Sequence, residues 1–419
     1  MTTKSRLLST AIALVVSSAA FTSAHADGHG DTETKGPLLT AIEESKPIFN
    51  ARLRYETVDQ ETTATRTEGV ADALTYRFRA GLETGAAYDT KFLIEFDHVE
   101  DIIDDFNSTI NGNTTFPVVA DPNVTELNRL QLTNTSLPDT TTTLGRQRII
   151  LDDSRFVGNV GWRQNEQTFD GIRFQNTSLG KLVIDASYVQ QVNRIFGDDS
   201  PSGNFEGDAT FVNVSHPTPI GKVTGFAYLF DFDDSAGNST QTLGVRLAGA
   251  QPVGGGKFTY AASYAQQEDY GSNPTSFDAD YYLIEGAYSA SGFTLGAGYE
   301  VLGSDDGMAA FGAPLGTLHK FQGWADKFLV TPAGGVEDLY AKAGYSLGDV
   351  GALKGVKFLG VYHDFSANEG PLDDYGSEIN LSASAKWEKF GLLIKYADYS
   401  ADDFADDTQK LWVQVDFGF

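Results

Sequence analysis

The chain has 419 residues, with 57 Asp and Glu against 30 Lys and Arg, a formal net charge of −27 and no cysteine. So acidic a protein is a poor polyanion binder overall, so no nucleic-acid partner is expected. Without cysteine it has neither disulfide staples nor thiol metal ligands.

Residues 1–26 read as a cleaved secretory signal. Lys4 and Arg6 precede an apolar run from Ala11 to Phe21, and Ala24-His25-Ala26 has the small-x-small cleavage pattern. The apolar run is shorter than the roughly 20 residues that cross a bilayer. Residues 27–46 are polar and are expected to form a loose periplasmic N-terminal segment.

From residue 47 onward a period of two recurs. Phe49, Ala51, Leu53 and Tyr55 alternate with Asn50, Arg52, Arg54 and Glu56. Leu74, Tyr76, Phe78, Ala80 and Leu82 alternate with Thr75, Arg77, Arg79, Gly81 and Glu83, and Phe92, Ile94 and Phe96 follow. Leu182 to Tyr188, Phe226 to Phe232, Leu243 to Leu247, Phe258 to Tyr264, Phe293 to Tyr299, Ile379 to Trp387 and Phe390 to Tyr396 repeat the pattern. The chain closes on Leu411, Val413, Val415, Phe417 and Phe419. Strands with one apolar and one polar face are what a transmembrane barrel requires. The apolar members, Phe226, Tyr228, Phe230 and Phe232 included, are assigned to lipid.

The connections alternate long and short, as in outer-membrane barrels with long outer loops and short periplasmic turns. The count is about 18 strands, or 16 if the segment Thr141–Arg146 does not pair. The fold class is therefore all-β: one antiparallel up-and-down barrel over 47–419 in the outer membrane of a Gram-negative bacterium. Its expected partners there are outer-membrane lipid and lipopolysaccharide. The terminal Phe419 is similar to the signal that such barrels show to their assembly machinery.

Parity places Arg52, Arg54, Arg77, Arg79, Arg129 and Arg173 in the lumen, with Lys91 and also Arg146 and Arg148. Thirteen of the fourteen arginines precede residue 195, and only Arg246 follows. They are expected to form a basic arc on one wall. Two readings stand: the arc selects anions, or it pairs with Glu56, Glu83, Glu95 and Asp97 and braces the wall. The far wall is mixed, with Lys342 and Lys395 beside Glu285, Glu300, Asp338 and Glu378. Acidic pairs such as Asp198-Asp199 and Asp402-Asp403 fall in outer loops and read as solvated charge.

The third long loop, 147–167, mixes cations with apolar side chains. It is either an outward flap or an infolded constriction, with Phe156 and Trp162 as anchors. Around it stand Gly145-Arg146-Gln147, Arg155-Phe156-Val157-Gly158, Trp162-Arg163-Gln164 and Phe169-Asp170-Gly171. In this order the four elements resemble the signature of the alginate export porin family. The resemblance implies a single-chain barrel of about 18 strands whose basic pore passes a uronate polysaccharide. Arg146, Arg148, Arg155, Arg163 and Arg173 would be its pore arginines. The sequence leaves open a general diffusion or uptake porin, small anions in place of polysaccharide, export against uptake, and monomer against trimer.

Catalysis is not expected. Gly344-Tyr345-Ser346-Leu347-Gly348 matches a nucleophile elbow in letters only, because that motif needs a strand–turn–helix context. No histidine pair has metal-ligand spacing, and no cofactor is expected. An outer-membrane enzyme or a passive adhesin barrel remains the rival class.

Overall fold

The computed structural model describes residues 35–418. The signal segment 1–26 and Phe419 lie outside the described residues.

A short helix, α1 (Pro37–Glu43), precedes the strands. The first strands are β1 (Lys46–Gln60), β2 (Val70–Glu83), β3 (Thr90–Asp105), β4 (Val124–Asn134), β5 (Thr140–Gln147) and β6 (Thr168–Asn176). Next come β7 (Val183–Asn193), β8 (Asn204–Thr218), β9 (Gly221–Phe232), β10 (Thr240–Val253), β11 (Gly256–Asp269), β12 (Asp278–Ala290) and β13 (Phe293–Leu302). Two-residue strands β14 (Ser304–Asp305) and β15 (Ala309–Ala310) form a small hairpin in the longest loop. The chain ends on β16 (Val336–Val350), β17 (Leu353–Ser366), β18 (Asp374–Trp387), β19 (Phe390–Ser400) and β20 (Thr408–Gly418).

Eighteen of these strands form one antiparallel sheet. Each pairs with its sequence neighbours, and β20 pairs with β1 from Asn50↔Gly418 to Gln60↔Thr408, which closes the barrel. The segment 141–146 does pair, as β5, so the count is 18 rather than 16. No described helix is long and apolar enough to cross a membrane; the strands do so, because closure pairs every backbone group with no edge left over.

The barrel is polar inside and apolar outside. Leu53, Phe78, Ile284 and Leu295 are exposed on the outer face, whereas Arg54, Glu56, Arg77, Glu95 and Asp97 are buried. An Arg on the lipid side costs about 2–4 kcal/mol at mid-depth, which fixes the register of β1 and β2.

Two assignments made from periodicity are corrected. In β9, the exposed Leu243 and Val245 stand opposite Ala227 and Gly225, whereas Thr242 and Gly244 stand opposite Tyr228 and Phe226. Phe226, Tyr228, Phe230 and Phe232 therefore point inward and are buried in one cluster with Phe169, Phe205, Phe211, Tyr281 and Phe311. A period of two separates faces but does not say which is inside. Here two long loops fold into the barrel and need an apolar wall. The second correction is Arg146. It stands opposite Leu130 and Asp170, on the outward row of Leu132 and Leu144. Its charge is met there by Asp170, which it grips through Nε and Nη2 at 2.8 Å each.

The inward placement of β9 has a direct test. Phe230→Ala opens a cavity in a packed interior and is expected to cost about 3–5 kcal/mol. Leu243→Ala on the lipid face is expected to cost no more than about 1 kcal/mol. Equilibrium urea unfolding in lipid vesicles reads both, and equal costs would refute the register.

Candidate functional site: the loop-crossed lumen

The loop 148–167 does not flap outward; it crosses the lumen and touches most of its circumference. Ile149, Leu151 and Val157 are buried in the interior cluster, and Phe156 and Trp162 pack against it. The Phe156 ring lies 5.0 Å from that of Tyr281 and 5.4 Å from that of Phe226. The run of apolar residues in the loop thus has the inverted face of β9 as its counterpart. Polar side chains then fix the loop at successive strands. Asp152 accepts from Lys222 Nζ and Asn213 Nδ2 at 2.8 Å each, on β9 and β8. Asp153 pairs with Arg246 of β10 at 2.8 Å. Arg155 reaches Glu300 of β13 at 2.7 Å and Gln322 at 3.0 Å. Arg163 returns to β1, with Glu56 at 2.9 Å, and meets Asp121 at 2.9 Å. Gln164 donates to Thr75 Oγ1 of β2 at 2.9 Å.

The arginines expected in the pore separate into two groups by burial. Arg54, Arg77, Arg79, Arg155 and Arg163 are buried. Arg54 bonds Gln414 at 2.9 Å, lies 3.7 Å from Asp121 and covers the Trp162 ring at 4.1 Å. Arg77 donates to the Gln164 carbonyl at 3.2 Å and to Asn50. Arg79 is held by Asp97 and lies 3.2 Å from Glu166. These groups carry the loop. Breaking such a buried pair by removing one partner costs about 3–5 kcal/mol, because the other charge is left uncompensated.

Arg52, Arg129, Arg148 and Arg173 keep part of their surface free. Arg52 binds Asp416 at 2.8 Å and the Trp162 carbonyl at 3.0 Å. Arg129 forks onto Glu95 at 2.8 and 2.7 Å. Arg148 reaches the same Glu95 at 3.0 Å and also Glu166. Arg173 binds Asp185 at 2.8 Å through Nε. In Arg129, Arg148 and Arg173 the bonds run through Nε and Nη2, and among the described residues Nη1 has no hydrogen-bond partner. Counting Arg146 with Asp170, nine of the ten arginines meet nine carboxylates, Glu56, Glu95, Asp97, Asp121, Glu166, Asp170, Asp185, Glu300 and Asp416, and Arg77 alone is held by neutral groups. The arc is thus nearly charge-compensated. Of the acids proposed as braces, Glu83 pairs instead with Lys91, at 3.4 Å.

Glu166 shows how the compensation works. Burial favours its protonated form, but the guanidiniums of Arg79 and Arg148 override this and hold the carboxyl down to about 2.

Sequence reasoning missed that a second loop, residues 303–335, folds inward and that Lys222, Arg246 and Lys320 hold the first loop, whereas Lys342 and Glu285 were expected on the far wall. Lys222 and Arg246 hold Asp152 and Asp153, Lys320 donates to the Asp153 carbonyl at 2.7 Å, and Lys342 pairs with Glu285 at 3.0 Å. The only advance signal was the Asp152-Asp153 pair inside an otherwise apolar run. The 303–335 loop is fastened by a buried relay. His319 Nδ1 meets Asp326 at 2.7 Å, Lys395 Nζ meets His319 Nε2 at 2.7 Å, and Lys410 meets Asp326 at 2.9 Å. Lys395 lies over the rings of Trp162 and Trp324 at 4.1 and 3.8 Å, and His319 stacks on Trp162 at 4.3 Å. Burial pushes the His319 imidazole down to about 3 despite the pull of Asp326, so it is neutral and accepts from Lys395. Gly323, at φ +79°, allows a turn in which a Cβ would collide with Glu378; there the Ala325 N–H donates to Glu378 at 2.9 Å.

Among the described residues no cluster of His, Asp and Glu is arranged to hold a metal ion. Gly344–Gly348 lies inside the continuous strand β16, without a turn into a helix.

The alginate export family model matches residues 49–316, more than half of the chain. No curated protein matches the sequence. Among solved structures, OccK9 (OpdG) of Pseudomonas aeruginosa superposes with a TM-score of 0.70 at 16% identity, over 92% of this chain and 100% of that one. OpdK of the same organism, solved with vanillate, superposes with a TM-score of 0.69 at 12% identity, over 90% and 99%. A BenF-like porin from Pseudomonas fluorescens Pf-5 gives 0.67 at 12%, over 90% and 100%. At these identities the likeness is one of fold, and the family match agrees with it: the chain is an outer-membrane porin barrel and belongs to the alginate export family.

Proposed function

We propose that the channel passes small carboxylate-bearing solutes, with short uronates among them, and that Arg52, Arg129, Arg148 and Arg173 are the residues they meet. The observation that carries this reading is the divided use of the guanidiniums. In Arg129, Arg148 and Arg173, Nε and Nη2 are held by the carboxylates of Glu95, Glu166 and Asp185, which orients the group, while Nη1 has no hydrogen-bond partner among the described residues. A planar guanidinium so oriented donates in a set direction to a carboxylate. Because the wall acids already compensate its charge, it supports passage rather than tight binding. A conducting site must bind weakly enough to release. The vanillate bound by the neighbour OpdK is itself a small carboxylate. A long polyuronate is the second reading. Family membership favours it, whereas the two loops that cross the lumen favour the small solute.

Planar-bilayer recordings test the proposal. In a salt gradient the wild-type channel is expected to show anion preference. The triple variant Arg129→Ser, Arg148→Ser, Arg173→Ser is expected to lower the anion-to-cation permeability ratio several-fold and to abolish current block by galacturonate. Unchanged reversal potential and block would refute the assigned residues. Absence of any conductance would favour a passive barrel.

Glu95→Gln should act in the opposite sense. Glu95 accepts from Arg129, Arg148 and Asn128 and lies 3.8 Å from Arg79, so its neutralisation frees positive charge around the lumen. The expected outcome is a higher anion preference together with larger open-channel noise from the loosened loop. A shift toward cations would contradict the electrostatic argument.

A further inference from the structure

We propose that α1 lies flat in the headgroup region of the periplasmic leaflet, with Leu38, Leu39 and Ile42 turned to the acyl chains, as an interfacial anchor beside the barrel seam. Three observations converge on a phospholipid surface as the occupant of this face.

The first is the helix itself. Leu38 and Ile42 are i, i+4 neighbours and Leu39 and Ile42 i, i+3, so the three side chains form one face, and each is 49–63% exposed. Thr40 falls on the opposite side of the wheel.

The second is how the helix is held. The Gly85 N–H donates to the Ala41 carbonyl at 2.8 Å, and a Cβ on Gly85 would meet Ala41 Cα at 3.2 Å. Ala41 is the buried residue of the helix. The contact docks α1 on the β2–β3 turn through the Ala41 flank and, among the described residues, leaves the apolar face uncovered.

The third is continuity with the lipid belt. Tyr88, Leu137, Leu179, Ile220, Val253 and Trp387 sit at or beside six different short turns, and every one is a large apolar or aromatic side chain 46–73% exposed. Such a ring marks the periplasmic interface of a membrane barrel. At the junction of β20 with β1 no turn exists, because β1 opens the barrel and β20 closes it. The helix stands just before β1 and beside the Tyr88 turn, so its face fills the gap in the ring. Short amphipathic helices bind membrane interfaces through such faces.

The chain lacks cysteine, so single nitroxide labels can be placed without background. Full-length protein carrying Leu39→Cys or Ile42→Cys, folded into phosphatidylethanolamine–phosphatidylglycerol vesicles, is compared with Tyr88→Cys as the lipid reference and Thr40→Cys as the water reference. The labels at 39 and 42 are expected to collide more with oxygen than with a nickel chelate, as at 88, with the reverse at 40. If positions 39 and 42 behave like 40, whether facing water or a soluble partner, the proposal fails. It fails equally if position 88 reads water, since the ring would then not lie at the lipid. These readings do not depend on which solute the channel passes.

Discussion

The pairing of β1 with β20 is the interaction on which everything else rests. In hydrocarbon an unpaired backbone amide or carbonyl has no water to turn to, so an open sheet would carry two ruinous edges. Register closes the circle over Asn50–Gln60 and Thr408–Gly418, and it settles the two faces at the same stroke. Once Leu53 and Val413 face lipid, Arg52, Arg54 and Gln414 must face inward. The interior is then a polar enclosure too wide for strand side chains alone to fill.

Loops supply the filling. The 148–167 segment carries apolar residues that seek the Phe226–Phe232 wall and charged residues that find fixed partners on β1, β8, β9, β10 and β13. The 303–335 segment meets it at Val157 and Leu315 and is tied down through His319, Asp326, Lys395 and Lys410. Charge compensation is what makes the arrangement stable. Ten arginines gathered without partners would repel one another, and buried guanidiniums would be costly. With carboxylates interleaved, the buried members hold the loop, and the part-exposed members present oriented donors to whatever passes.

The barrel was legible in the sequence because its signal is redundant. Alternation repeats in strand after strand, and the long–short rhythm of connections counts the strands independently. The lumenal placement of Arg52, Arg54, Arg77 and Arg79 followed from their position opposite Leu53 and Phe78. What alternation cannot carry is the sign of a face. Phe226 to Phe232 alternate as well as any lipid-facing set, yet they line the interior, because the loops that cover them lie far away in the chain. Arg146 was misplaced for a related reason. Leu144 and Arg146 share a row, and the strand ends before the pattern can show it.

The sequence by itself determined the closed outer-membrane barrel, its strand number to within two, the inward direction of most arginines and the family signature around Gly145–Gly171. These rest on local periodicity and spacing, which every short window of the chain contains. Only the tertiary structure decided that the 148–167 loop crosses the lumen, that every pore arginine but Arg77 is matched by an acid, and that Lys395 and His319 fasten a second loop. Those contacts join residues separated by up to hundreds of positions, such as Arg155 with Glu300 and Arg54 with Gln414. No local pattern encodes a partner at that distance; the closed circle of strands brings them together.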